Sequence, residues 1–192
     1  MKKIIVIGAT GSLAKYVIAD LKKSEDVELT LFARNISGVP KVLSDGCNLI
    51  QGDATVYANL LLAIEGKDIV YMNLAGDLEA MAKNITQVML ETGVKRIIAI
   101  SSIGIYETPL KAVLVPYRKL ADVIELSGLD YTILRPYWFT DSGEVDYAIT
   151  RKGEQEKGYA ISRKSIAAFV AQLVQNPEMH KNENLGISKP NK

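Results

Sequence analysis

The first 23 residues constrain the fold more than any other stretch. A run rich in β-branched residues, Lys3 to Ile7, meets Gly8-Ala9-Thr10-Gly11-Ser12-Leu13-Ala14 and continues as an amphipathic segment. A strand that enters a helix through Gly8-x-x-Gly11-x-x-Ala14 turns tightly and aims the N–H groups and positive dipole end of that helix at one point beyond the strand. Gly8 permits the turn, Gly11 lets the main chain approach a ligand, and Ala14 is small enough for the helix to lie on a sheet. A diphosphate suits such a point. The helix reads as Ser12 to Lys22, with Leu13, Val17 and Leu21 on one stripe and Lys15, Lys22 and Lys23 in water. At the head of an alternating series, the pattern is specific for a dinucleotide rather than a mere connector.

The rest of the chain repeats the alternation. Strands are expected at Lys3 to Ile7, Glu28 to Ala33, Asn48 to Gln51, Asp68 to Asn73, Arg96 to Ser101 and Tyr131 to Arg135. The helices between them fall at about Ser12 to Lys22, Val56 to Ile64, Leu78 to Thr92, Tyr117 to Ser127 and Ser165 to Gln175. Short apolar runs joined by helical crossovers build a parallel sheet covered on both faces. The expected class is therefore α/β: a doubly wound parallel sheet, a single-domain NAD(P)-binding Rossmann fold over residues 1–192. A chain of 192 residues is long enough for one core and short for two domains of ordinary size. Ser165 is the expected N-cap of the last helix, with Pro177 beyond its end. The polar, glycine-containing segment 141–160 is expected to form a flap or small hairpin.

Composition removes several function classes. A net charge of +1, with under a quarter of residues charged, gives no electrostatic reason to expect nucleic acid or membrane. The expected partner is a small-molecule substrate, and the chain is expected to be a monomer or homodimer. The apolar run after Met1 is too short for a signal-peptide core, so a cytoplasmic location is expected. Cys47 stands alone, which excludes an internal disulfide and a thiolate cluster. His180 is the single histidine, in the polar stretch Asn176 to Asn184, and is expected at the surface. One histidine excludes a Ser-His-Asp engine and argues against catalytic zinc, so no metal site is expected.

Twenty residues after Ala14, the second strand ends in Leu31-Phe32-Ala33-Arg34-Asn35. An acidic residue here would hold a ribose 2′-hydroxyl, whereas an arginine pairs with a 2′-phosphate. Arg34 therefore points to NADP(H) as the preferred cofactor, with NAD(H) possible. A charge-assisted contact of roughly 1.5–3 kcal/mol corresponds to about ten- to a hundredfold preference.

These residues resemble the atypical short-chain dehydrogenase/reductase superfamily, in particular its small NAD(P)H-binding members of NmrA-like and biliverdin reductase B-like type. The resemblance runs through GATGSLAKYV, FARN, QGDAT, NLAG, SSIGIY, SGLDYTILRPYWFTD and ISRKSIAAFVAQLV, in that order and over nearly the whole chain. It implies cofactor contacts from Gly8, Thr10, Gly11, Ser12 and Leu13, and from Arg34 and Asn35. It further implies Asp53 and Ala54 near the adenine, Leu74, Ala75 and Gly76 along the ribose, and Pro136 and Tyr137 beside the nicotinamide. On local sequence alone, Asp53 reads equally as a helix-capping carboxylate and Asn73 to Gly76 as a strand-end turn.

Complete members of the superfamily carry a Ser, a Tyr and a Lys, the last two four apart on one helix face. The resemblance matches Ser102 and Lys119 to the Ser and Lys as catalytic residues, Lys119 also as a ribose ligand. Four residues before Lys119 stands Val115, and Tyr117, two residues away, belongs to another face. Without the tyrosine, reduction of a flavin, quinone or similar conjugated acceptor is the least demanding chemistry, because solvent can complete the protonation. Tyr137, Trp138 and Phe139 are the expected aromatic platform for that substrate, or else part of the core. Two rival readings stand beside the reductase: a redox sensor that binds NADP(H) without turnover, and a sugar epimerase or dehydratase.

Overall fold

A computed structural model describes residues 1–190. In chain order the elements are β1 (Lys2–Ile7), α1 (Ser12–Leu21), β2 (Val27–Ala33), α2 (Lys41–Ser44), β3 (Asn48–Gln51), α3 (Tyr57–Ile64), β4 (Ile69–Met72), α4 (Leu78–Thr92) and β5 (Arg96–Ile100). There follow α5 (Val115–Glu125), β6 (Asp130–Pro136), β7 (Trp138–Thr140), β8 (Ala148–Arg151), β9 (Ala160–Ser162), α6 (Arg163–Gln175) and β10 (Glu183–Ser188). Eight strands form one sheet in the order β3-β2-β1-β4-β5-β6-β10-β8, parallel except for β8, which runs antiparallel to β10. The fold is α/β, one Rossmann domain with helices on both faces.

Alternation along each strand divides the core in two. Ile4, Val6, Leu29, Leu31, Tyr71, Ile98 and Leu134 join α1 and α6 on one face. Ile5, Ile7, Phe32, Val70, Met72, Ile97 and Ile133 join α3, α4 and α5 on the other. Period-two side chains with both faces apolar are what a covered parallel sheet requires. In α1, Leu13, Ala14, Val17, Ile18 and Leu21 are buried. Among the described residues no helix is long and apolar enough to cross a membrane.

The second half of the chain departs from expectation in four places. The stretch read as polar and exposed leads into β10, whose Leu185 and Ile187 enter the core between β6 and β8. His180 is accordingly half-buried, its ring 5.6 Å from that of Phe169 and its Nδ1 3.1 Å from Glu183. Segment 141–160 is not a hairpin: β8 joins the main sheet through β10, and β9 pairs in parallel with β7. The N-cap of α6 is Ser162, which accepts from the Ser165 amide at 2.9 Å, while the Ser165 hydroxyl donates to the Asp146 carbonyl at 3.0 Å. Finally, α5 starts at Val115, with Pro116 in its first turn, where the missing N–H of proline leaves no bond unmade.

Candidate functional site

Strand order reverses at β1, which has β2 on one side and β4 on the other, so the loops leaving β1 and β4 diverge and open a crevice. Its floor is the glycine turn. Gly8 has φ +94°, and a Cβ on it would lie 2.0 Å from the Asn73 carbonyl oxygen, so no other residue fits. The turn is fastened by the Gly8 amide donating to the Phe32 carbonyl at 3.0 Å and the Gly11 amide donating to the Gly8 carbonyl at 3.0 Å. Gly11 precedes α1 in an extended conformation and supplies no side-chain cap. The first-turn amides of α1 therefore need an outside acceptor, and the bare Cα of Gly11 keeps the approach open. These residues fit a dinucleotide diphosphate.

The cleft above this floor has a volume of about 570 Å³. One wall, at the ends of β2 and β3, is Phe32 to Asn35 and Gly52 to Thr55. The other, at the ends of β4, β5 and β6, is Asn73 to Asp77 with Met81, Tyr117 and Phe139. Arg34 is exposed at the tip of β2 and is the one cationic side chain among the described residues that line the cleft. The Asp53 Oδ1 accepts from both the amide and the hydroxyl of Thr55 at 2.8 Å, a turn-capping arrangement. These bonds, and secondarily the Arg34 charge, hold the Asp53 carboxyl below its usual range. Asn84 of α4 donates to the carbonyls of Ala54 at 3.3 Å and Thr55 at 2.9 Å, so α4 fixes the height of this wall.

Several residues expected at the site stand elsewhere. Ser102, Lys119, Pro136, Tyr137 and Trp138 lie outside the cleft lining. Lys119 turns to α4, where its Nζ is 2.6 Å from Glu79, and Lys83 approaches the same carboxylate at 2.7 Å. The two lysines lower the Glu79 pKa to about 2, the Lys119 hydrogen bond contributing most. Tyr117, on another face of α5, lines the cleft instead, its backbone held by Ser101, whose hydroxyl donates to the Tyr117 carbonyl at 3.0 Å. Alternation sets Trp138, 79% exposed, apart from its neighbours: Tyr137 and Phe139 both pack against the core, and Phe139 also lines the cleft, with the Arg163 guanidinium 5.2 Å from its ring centre.

Sequence reasoning missed Phe32, Ala33, Gly52, Thr55, Asn73, Asp77, Met81 and Tyr117 as cleft residues. Asp77 had a readable signal, an acidic residue just before a helical run. It caps α4 by accepting from the Ala80 amide at 3.1 Å. Tyr117 had none, because the length of the loop before α5 sets which turn of that helix reaches the crevice.

Comparison with known proteins bears on the same region. A family model described as NAD(P)H-binding matches residues 8–177. A solved Rossmann-fold NAD(P)-binding family protein from Shigella flexneri is 41% identical, with a TM-score of 0.92 over 100% of this chain and 95% of that one. An isoflavone reductase homologue from Nicotiana glauca is 28% identical over 91% of this chain and 64% of its own length. Quinone oxidoreductase 2 from Escherichia coli K12 is 27% identical over 72% of this chain and 50% of its own length. The chain thus spans about half to two thirds of the length of these curated relatives.

Proposed function

Because the chain belongs to the NAD(P)H-binding family, we propose that it is an NADPH-dependent reductase of small conjugated acceptors such as quinones or flavins. The observation that carries this reading is the uncapped start of α1 over a glycine turn in which a Cβ at Gly8 would overlap the Asn73 carbonyl. The amides of Ser12 and Leu13 hold the diphosphate there. Arg34 and Asn35 hold the 2′-phosphate at the tip of β2, and Asp53 and Ala54 border the adenine. The opposite wall, from Leu74 to Asp77 with Tyr117 and Phe139, then flanks the nicotinamide and the acceptor.

A bound nicotinamide supplies a hydride, and with one proton from solvent a quinone becomes a hydroquinone. Met81 and Phe139 give this space apolar surface, and Tyr117 borders it. Because Lys119 is engaged by Glu79 and Val115 stands where a tyrosine would be needed, no Tyr–Lys pair of four-residue spacing forms. That favours acceptors whose reduction does not depend on a dedicated proton donor. A quinone oxidoreductase among the relatives supports the same choice.

The test is the loss of reduced-nicotinamide absorbance with quinones, flavins, dyes and simple carbonyls. Turnover with the conjugated acceptors, and not the carbonyls, is expected. Tight NADPH binding without turnover of any compound would favour the second reading, a redox sensor, to which the missing Tyr–Lys pair also points.

A further inference from the structure

Residues 52–55 line the cleft but belong to no helix or strand; they join β3 to α3. An irregular stretch keeps one shape only where its main-chain groups are fastened from outside. Three neighbouring elements do this here. The Gly52 amide donates to the Ala33 carbonyl at the end of β2 at 3.1 Å. The Asp53 amide donates to the Asn59 Oδ1 of α3 at 3.0 Å. The Asn84 Nδ2 of α4 donates to the Ala54 carbonyl at 3.3 Å and to the Thr55 carbonyl at 2.9 Å, from 30 and 29 residues away in sequence. Only this last fastening reaches across to the other wall. Asp77, Met81 and Asn84 stand at i, i+4 and i+7, on one face of α4, and the first two line the cleft on the opposite side. The helix itself is anchored on the sheet by Ile85, Val88 and Met89. One rigid element thus bears on both walls.

We infer that Asn84 is a positioning residue for the dinucleotide: it lies outside the cleft lining, and through the Ala54 and Thr55 carbonyls it holds the adenine wall at its distance from α4. The inference rests on the reading of the cleft as an NADPH site and assigns the span of its adenine half to α4.

The experiment compares the wild type with Asn84→Leu and Asn84→Ala by calorimetric titration with NADPH, NADH and adenosine 2′,5′-bisphosphate, and by urea unfolding of the free proteins. Leucine nearly keeps the volume of asparagine and alanine does not, while both remove the donor and both favour a helix more than asparagine does. Asn84 is half-buried and Thr55 exposed, so the unfolding midpoint should stay close to that of the wild type. Both variants should weaken all three ligands by the same factor, roughly three- to tenfold. Equal loss for the bisphosphate places the effect in the adenine half, and equal loss for NADPH and NADH separates it from a 2′-phosphate contact, which would cost NADPH alone. Unchanged affinities overturn the inference. So does a loss in Asn84→Ala alone, which would be packing, or a loss that spares the bisphosphate. A fall in the unfolding midpoint of the free variants in step with the affinities would make the role structural and overturns it too. Each of these outcomes leaves the NADPH reading in place, whereas a wild type that binds none of the three ligands overturns that reading and this inference with it.

Discussion

Arg34 shows how far one residue can be read. Its position at the tip of the second strand was legible from spacing alone, and the structure puts it on the cleft wall, exposed and beside Asp53. A guanidinium matches a phosphate with two parallel hydrogen bonds, whereas a ribose hydroxyl offers it little. Replacing Arg34 by Ala should therefore weaken NADPH binding by about ten- to a hundredfold and leave NADH nearly unchanged. Titration calorimetry with both dinucleotides measures the difference, and an equal loss for both would remove the assignment. Lys119 was less legible. A lysine at a familiar place in a helix says nothing of the carboxylate waiting on the neighbouring helix, and Glu79 takes it. Tyr117 was hidden for a different reason, the length of the loop before α5, whereas Asp77 was open to reading as the acidic residue that caps α4.

At the scale of elements, the first six strands announced themselves through β-branched runs, and the later ones did not. In β10, Glu183, Asn184 and Gly186 interrupt the apolar pattern, and only Leu185 and Ile187 mark the buried face. Polar residues are tolerated there because a charged network occupies the opposite side. Arg135 of β6, 1% exposed, places Nε 2.7 Å from Glu156 and donates Nη1 to the Asn184 carbonyl and side chain, both at 2.7 Å. Glu156 also accepts from the Gly104 amide at 3.2 Å, so it ties the segment between β8 and β9 across the ends of β5 and β6. A fully buried pair broken on one side loses about 3–5 kcal/mol. Glu156 is 22% exposed and Arg135 keeps Asn184, so Glu156→Ala should lose about 2–3 kcal/mol in urea unfolding. Tryptic cleavage at Lys152 and Lys157 should accelerate by a larger factor than global unfolding explains, because the tie is local. A denaturation midpoint and a cleavage rate both equal to those of the wild type would show that this ion pair does not hold the segment.

The whole molecule is organised by one topological event, the reversal of strand order between β1 and β4. It sends α1 and α6 to one face and α3, α4 and α5 to the other, and it leaves a crevice where the two halves part. The walls of that crevice come from the ends of β1 to β4 and from segments after β5 and β6, so a ligand spanning it bridges both halves of the sheet. Ligand binding and global stability are then linked: a ligand held by the folded state alone, at a hundred times its Kd, adds about 2.7 kcal/mol. For a domain of this size each kcal/mol raises Tm by about 2–4 °C, so NADPH at that level should raise it by about 5–10 °C. NADH at the same concentration, with an affinity about ten- to a hundredfold lower, adds about 0.4–1.4 kcal/mol and should raise Tm by about 1–5 °C. In Arg34→Ala the gap between the two dinucleotides should close, because only the 2′-phosphate contact distinguishes them. Equal shifts for NADPH and NADH in the wild type would place the 2′-phosphate outside the cleft. No shift with either would mean that the uncapped start of α1 does not receive a diphosphate.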